Sequence, residues 1–319
     1  MHRIVSRRVV RNKTMQALYA CRENDTLNDK TIEANLHRSI KQGYVLYLYL
    51  LHTATQVALY AIDDKQRRLG KHIRTQSDQD FSVRIAENPF VQHLATDEAF
   101  NNLLKREKIA AYTPPELIQK LFNDLLGKKG YKTYIGIENP SLHDHKAAII
   151  TIFDHVLFTS ELFEAHLEEA FSGYEDDMEY AAETVGITIQ SFAPDNMEPC
   201  VVFVPQDDWQ EKLDFASQLL REYRKHDDEL YNLVTPHLER WEPERVAAMD
   251  MLLIKMAICE MLYCPHIPVK VSINEYLDIA KCYSTPRSKD FVNGILDKIL
   301  YQLRREDRIK KAGRGLMDN

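Results

Sequence analysis

PERVAAMDMLLIKMAICEMLY, residues 243 to 263, is the stretch whose reading decides the fold. Val246, Met249, Leu252, Leu253, Met256, Ala257 and Cys259 recur at the three- and four-residue spacing of one helical face. The interior charges Asp250, Lys255 and Glu260 stand five residues apart and fall on three different sides of such a helix. Apolar side chains therefore cover most of the circumference, and a helix of that kind is enclosed by neighbours. The stretch predicts a central helix at the hub of a C-terminal helical domain.

Further helices are punctuated on either side. Ser272-Ile273-Asn274-Glu275, after Pro268, reads as a capping box opening a helix through Leu277 and Ala280. Asp207 with Gln210 opens another, running through Leu213 and Leu219 to about Lys225. Upstream, Thr113-Pro114-Pro115-Glu116 combines a capping threonine with a proline at the first helical position, and Leu117, Leu121, Leu125 and Leu126 follow on one face. Tyr44 to Ile62 carries no formal charge over 19 residues, which is long enough to test as a membrane span. Polar His52, Thr53, Thr55 and Gln56 occupy its middle, and its tyrosines are spread along it instead of gathered at its ends. It reads as a buried helix with Leu48, Leu51, Thr55, Ala58, Leu59 and Ile62 inward. Val201 to Val204 is the one strand-like run, and between Pro199 and Pro205 it reads as an extended linker near a boundary at 193 to 206.

Composition agrees with helices. The 319 residues include only 10 Gly, with 45% hydrophobic and 28% charged residues, a globular balance that excludes extensive disorder and favours α over β structure. Five scattered cysteines without a Cys-x-x-Cys pair suit a reducing compartment, and no apolar signal core follows the N-terminus, so a cytoplasmic location is expected. No phosphate loop, dinucleotide fingerprint, nucleophile elbow or zinc-protease motif is present. His143-Asp144-His145 and His226-Asp227-Asp228 have metal-ligand residue types without partners at ligand spacing, and they read as surface residues. Neither a cofactor nor a metal is expected.

Charge is unevenly placed. Residues 1 to 22 carry six bases (Arg3, Arg7, Arg8, Arg11, Lys13 and Arg22) and no acid. Residues 298 to 314 carry seven bases against two acids, which reads either as a solvated helix end or as a second basic terminus. Between these ends the body is acidic, with nine acids and no Lys or Arg in 161 to 183. That run is a solvated face, a docking surface for a basic partner, or an internal cover for the basic termini. Arginine's planar fork suits phosphate, and Arg3, Arg7 and Arg11 would align on one helical stripe. Because that stripe runs on into Leu18, the arginine portion is expected to project beyond the packed bundle as an arm or a frayed first turn, ordering on nucleic acid or serving solubility alone.

At this point the residues resemble the NusB family of transcription antitermination factors. One block is Arg7-Arg8-Val9-Val10-Arg11 with Met15-Gln16-Ala17-Leu18-Tyr19. The longer block is Arg245 to Tyr263, then Ile267-Pro268-Val269-Lys270-Val271, Ile273-Asn274-Glu275, Ala280-Lys281 and Phe291-Val292-Asn293-Gly294-Ile295-Leu296-Asp297. The resemblance implies an all-α, non-enzymatic bundle of two subdomains, here with a large helical insertion. It also implies binding of boxA-type single-stranded RNA in ribosomal RNA transcripts together with the ribosomal protein NusE, within the RNA polymerase antitermination complex and away from membranes. The expected organisation is an arginine-rich arm and first helix at 1–22, an expanded helical region at 23–206, the NusB-like domain at 207–302 and a basic tail at 303–319. Arg7, Arg8 and Arg11 match the family's RNA-contacting arginines, with Arg3 and Lys13 beside them.

Phe291 matches the family's aromatic contact and reads either as a stacking platform or as a core residue. Gly294 inside a helix suggests close helix approach or a nearby backbone contact. Pro286-Arg287-Ser288-Lys289 departs from the usual acidic pair and adds Arg287 and Lys289 to the basic set. Asp250 matches an acidic position facing the ribosomal partner, with an internal contact as the other reading. The resemblance is silent on residues 23 to 206. Two rivals remain: a helical adaptor without RNA binding, and a stand-alone relative of the NusB-like domain of RNA cytosine methyltransferases, which calls for a glycine-rich α/β domain that these residues do not contain.

Overall fold

A computed structural model describes residues 6–22, 28–193, 202, 208–238 and 245–318. Among these residues there is no strand, and fifteen α-helices carry the architecture, as the all-α expectation requires. The chain divides into two compact units, one spanning Lys41–Pro205 and the other combining Val5–Ile40 with Gln206–Asn319.

Helix α1 (Arg7–Cys21) starts where the Ser6 hydroxyl accepts from the Val9 amide, and it packs against helices from the C-terminal part of the chain. Val9, Val10, Met15, Leu18 and Cys21 are buried along it. The expected arm is therefore corrected over the described residues: Arg7, Arg8 and Arg11 belong to a packed helix, because apolar and arginine positions interleave around α1 instead of separating into two segments. Arg3 lies outside the described residues.

Helix α2 (Asp29–Leu69) is long and apolar enough to cross a membrane, and 67% of its apolar window is buried inside the protein. Its segment from Lys41 onward forms the spine of the first unit. Leu46, Tyr47, Leu48, Tyr49, Leu50, Leu51, Val57, Ala58 and Ala61 are fully enclosed. Ile62, expected inward, is exposed, and Ala61 takes the core position, since so many sides of this helix are covered that a single stripe misplaces its edge. Around α2 lie the short α3 (Gln76–Gln79), α4 (Pro89–Thr96), α5 (Glu98–Arg106), α6 (Pro115–Gly127), α7 (Lys129–Gly136), α8 (Leu142–Ile152) with a π-helical turn at Phe153–Leu157, α9 (Glu161–Ala170) and α10 (Glu175–Ser191). Pro114, not Thr113, holds the N-cap of α6, and no side chain caps it. The acids of 161 to 183 lie on exposed positions of α9 and α10, apart from buried Asp177.

The second unit adds α11 (Asp208–Lys225), α12 (Asp227–Val234), α13 (Ala248–Tyr263), α14 (Val269–Tyr283) and α15 (Ser288–Arg305). Helix α13 is the hub: it packs against α1, α11, α12, α14 and α15, and every residue from Leu252 to Met261 is buried. It begins at Ala248, later than the pattern from Pro243 suggests. Helix α14 begins earlier than its capping box, because Pro268 takes the N-cap and leaves Ser272 a full turn inside. Of the strand-like run at 201 to 204, only Val202 is among the described residues.

Candidate nucleic-acid interface

The three interior charges of α13 face three different neighbours, and each is matched there. Glu260 meets α1 and α14. Its carboxylate accepts from Arg11 Nε (2.8 Å) and Nη2 (2.7 Å), from the Ser272 hydroxyl (2.7 Å) and from the Tyr276 hydroxyl (3.1 Å). Four donors fill the lone-pair sites of a carboxylate, which is what allows a charge to stay buried. Arg11 is 1% exposed and Glu260 0%. Burial alone would lower the pKa of Arg11, but the adjacent Glu260 outweighs it and holds the guanidinium firmly charged. Burial, with Glu260 adding to it, pushes the Tyr276 phenol well above its usual range. The Arg11 guanidinium also lies over the rings of Phe215 (5.4 Å) and Tyr276 (6.0 Å).

Arg7 and Arg8 differ from Arg11 in reaching the surface. The Arg8 side chain is 43% exposed and forks onto Glu275 (3.1 and 3.2 Å) while also donating to Asp278 (2.9 Å). Arg7 donates to Glu211 at 2.5 Å. Asp278 in turn accepts from Lys281 (2.8 Å), and that bond, with Arg8 adding to it, lowers its pKa. Glu275, Asp278 and Lys281 follow at three-residue spacing, so the contacts of Arg8 lie on a strip of α14 that leads toward its C-terminus at Tyr283. Lys13, by contrast, is buried within the packing of α1.

That strip ends at the turn into α15, which Asp250 organises. Asp250 is buried and accepts from the hydroxyls of Ser284 (2.6 Å) and Ser288 (2.8 Å), and Thr285 and Ser288 share a further bond of 2.8 Å. Of the two readings of Asp250, the geometry gives the internal contact: the carboxylate ties α13 to the start of α15. Arg287 is exposed at the N-cap of α15, and Lys289 and Phe291 are half-buried in its first turn. The third interior charge, Lys255, donates to Asp227 at 2.5 Å beside the rings of Tyr223 and Tyr231.

Glu260, Ser272, Tyr276, Glu275 and Asp278 are the residues that sequence reasoning did not assign to the site. The spacing of Ser272, Glu275 and Tyr276 on one face of α14 is the signal that finds them, since a polar face opposite an arginine-bearing helix calls for partners. Nothing in the sequence links Glu211 to Arg7. No group of histidine, cysteine and carboxylate side chains able to hold a metal occurs among the described residues. Asp144 caps α8 with Ser141, His145 bonds the Tyr134 hydroxyl, and His226 stacks on Tyr263 and bonds Glu229.

Comparison with known proteins adds a family to this geometry. The NusB family profile matches residues 200–301. The chain is 44% identical over 117 residues to the transcription antitermination protein NusB of Salinibacter ruber, which covers 37% of this chain and 73% of that protein. It is 40% identical over 105 residues to the protein of the same name from Chloroherpeton thalassium, covering 33% of this chain and 50% of that protein. For the namesake from Desulfatibacillum aliphaticivorans the figures are 37% over 112 residues, 35% and 76%. No solved structure gives a significant match.

Proposed function

Because the chain belongs to the NusB family, we propose that it is a cytoplasmic, RNA-binding transcription antitermination factor acting by recognition, not catalysis. In this reading it takes a boxA-type single-stranded RNA in ribosomal RNA transcripts, jointly with NusE, and delivers the pair to the RNA polymerase antitermination complex. The observation that carries the reading is the placement of two surface arginines, Arg8 along α14 and Arg7 against Glu211 of α11, on the unit that the family profile matches. Single-stranded RNA calls for a cationic track along its backbone and aromatic faces for its bases. Arg7 and Arg8 supply the first, extended by Arg287 and Lys289; Phe291 supplies the second. RNA phosphates replace the carboxylates that now hold the exposed arginines, which exchanges one charge-assisted bond for another.

Buried Arg11 and Lys13 serve the interface by fixing α1 instead of touching RNA. Asp250 contributes to partner binding by holding the turn between α14 and α15 in shape. One observation favours the adaptor reading instead: Arg7, Arg8 and Arg11 all have carboxylate partners within the protein. Fluorescence anisotropy with a boxA-like RNA and a scrambled control, each with and without NusE, separates the two. Sequence preference strengthened by NusE supports the antitermination factor; absence of binding in every combination supports the adaptor.

A further inference from the structure

Helix α15 has an exposed face that the proposed site uses only at its start. At 100° per residue, Arg287, Phe291, Gly294, Lys298, Tyr301 and Arg305 fall within roughly 80° of the helix circumference. The buried residues Val292, Ile295, Leu296, Ile299 and Leu303 gather on another side. The stripe alternates cations with aromatic rings over about 27 Å of helix at about 1.5 Å per residue. Asp290 and Asp297 mark one border of it, and Arg304 lies beyond them.

Two features of this face lack a packing explanation. Tyr301 is 66% exposed, an unusual place for a large ring on a helix whose other face is well packed, and the Arg305 guanidinium sits 5.7 Å from its centre. Gly294 interrupts the helix at a point where an added Cβ would meet nothing within 4 Å. The close helix approach considered for Gly294 is therefore absent; the glycine leaves bare backbone between the two rings. A shallow cleft of about 810 Å³ adjoins the second ring, lined by His237, Asp297, Lys298, Tyr301, Gln302 and Arg305, with His237 bonded to Gln302 at 2.7 Å. Glu306 closes its edge.

We infer that the exposed face of α15 is a second segment of the RNA track, where Tyr301 stacks a base and Lys298 and Arg305 hold phosphates beyond the nucleotide met by Phe291. This rests on the RNA reading proposed above. Phe291 and Tyr301 are ten residues apart, about 15 Å along the helix, which spans about four nucleotides at the stacked rise of about 3.4 Å. Aromatic stacking tolerates any base, so the segment adds affinity for length, with little demand on sequence.

The test uses the full chain and three RNAs: a boxA-like single strand, and the same strand lengthened by four uridines at the 5′ or the 3′ end. Lengthening at one end should tighten binding to the wild type. Tyr301→Ala should abolish that gain, about 5- to 150-fold for one stacked base, and leave the affinity for the short strand unchanged; Tyr301→Phe should keep the gain and Arg305→Glu should lose it. Thermal melting of each variant checks the fold. No gain at either end, or a gain that survives Tyr301→Ala, overturns the inference while binding of the short strand still upholds the RNA reading. Failure of every RNA to bind overturns both. Loss of NusE affinity by Tyr301→Ala with RNA affinity intact assigns the face to protein and overturns it as well.

Discussion

Two helices, α2 and α13, are each the core of a unit, and they bury different things. From Tyr44 to Ala61, α2 buries apolar side chains and neutral hydroxyls: Tyr47 bonds Thr188 at 2.8 Å, and Thr55 donates back to the Leu51 carbonyl. Its buried charge, Asp64, lies beyond that stretch and is answered by Arg67 and Arg68 of the same helix. Helix α13 buries Asp250, Lys255 and Glu260 and answers each with partners on a different neighbour. A neutral core is held by area and shape, whereas a buried charge is tolerated only where its partners are already placed. The charged hub therefore fixes how α1, α12, α14 and α15 stand around it. Those include the helices that carry the proposed RNA-contacting residues, and the family match at 200–301 falls on this unit.

The sharpest way to break this contrast is to remove one half of the central ion pair. Arg11→Ala should destabilise the second unit by about 3–5 kcal/mol, because Glu260 is left buried with two donors missing. Replacing the pair together, Arg11→Met with Glu260→Leu, should recover much of that loss; denaturant titration measures both. In the first unit, Leu50→Ala should cost about 2–5 kcal/mol from lost transfer and cavity formation. No partner of its kind is stranded, so a compensating second substitution has nothing to restore. A Leu50→Ala loss below 1 kcal/mol would contradict the close packing assigned to α2.

Gly294→Ala tests the exposed side of the second unit with a smaller effect. The open space around Gly294 and its helical backbone predict stabilisation by about 0.5–1 kcal/mol. Loss of stability would show a contact at that position that the open surface does not have.

The first unit also offers a pH signature. Burial lowers the pKa of His52 to about 4. Unfolded, the same imidazole takes up its proton near pH 6.5, so its contribution to stability is complete above about 6.5 and is lost as pH falls toward 4. His52→Leu should flatten the acid side of the stability curve across that window, read by thermal melts at stepped pH. An unchanged slope would contradict the burial of the ring.

Much of this was legible in the residues. The helical class follows from spacing and scarce glycine, and the three sides of α13 follow from three charges five residues apart. Boundaries were harder: Thr113 and Ser272 have the chemistry of caps, yet in each case a proline fixes the turn first, and Ser272 is drawn inward to Glu260. The N-terminal arginines read as a projecting arm because a run of arginines has the same appearance whether solvated or paired. Only the fold shows that the carboxylates of Glu260, Glu275, Asp278 and Glu211 stand opposite. Asp250 likewise has two readings until Ser284 and Ser288 are seen beside it.

The central claim is that phosphates take over the surface arginines now held by carboxylates, Arg8 by Glu275 and Asp278 of α14 and Arg7 by Glu211 of α11. The direct measurement is affinity for a boxA-like single-stranded RNA across a salt series, for the wild type and for Arg8→Ala. Loss of one phosphate contact should reduce the slope of log affinity on log salt by about 0.7 and weaken binding at low salt. An Arg8→Ala protein with the wild-type slope and affinity would contradict the claim and leave Arg8 as a structural partner of Glu275 and Asp278.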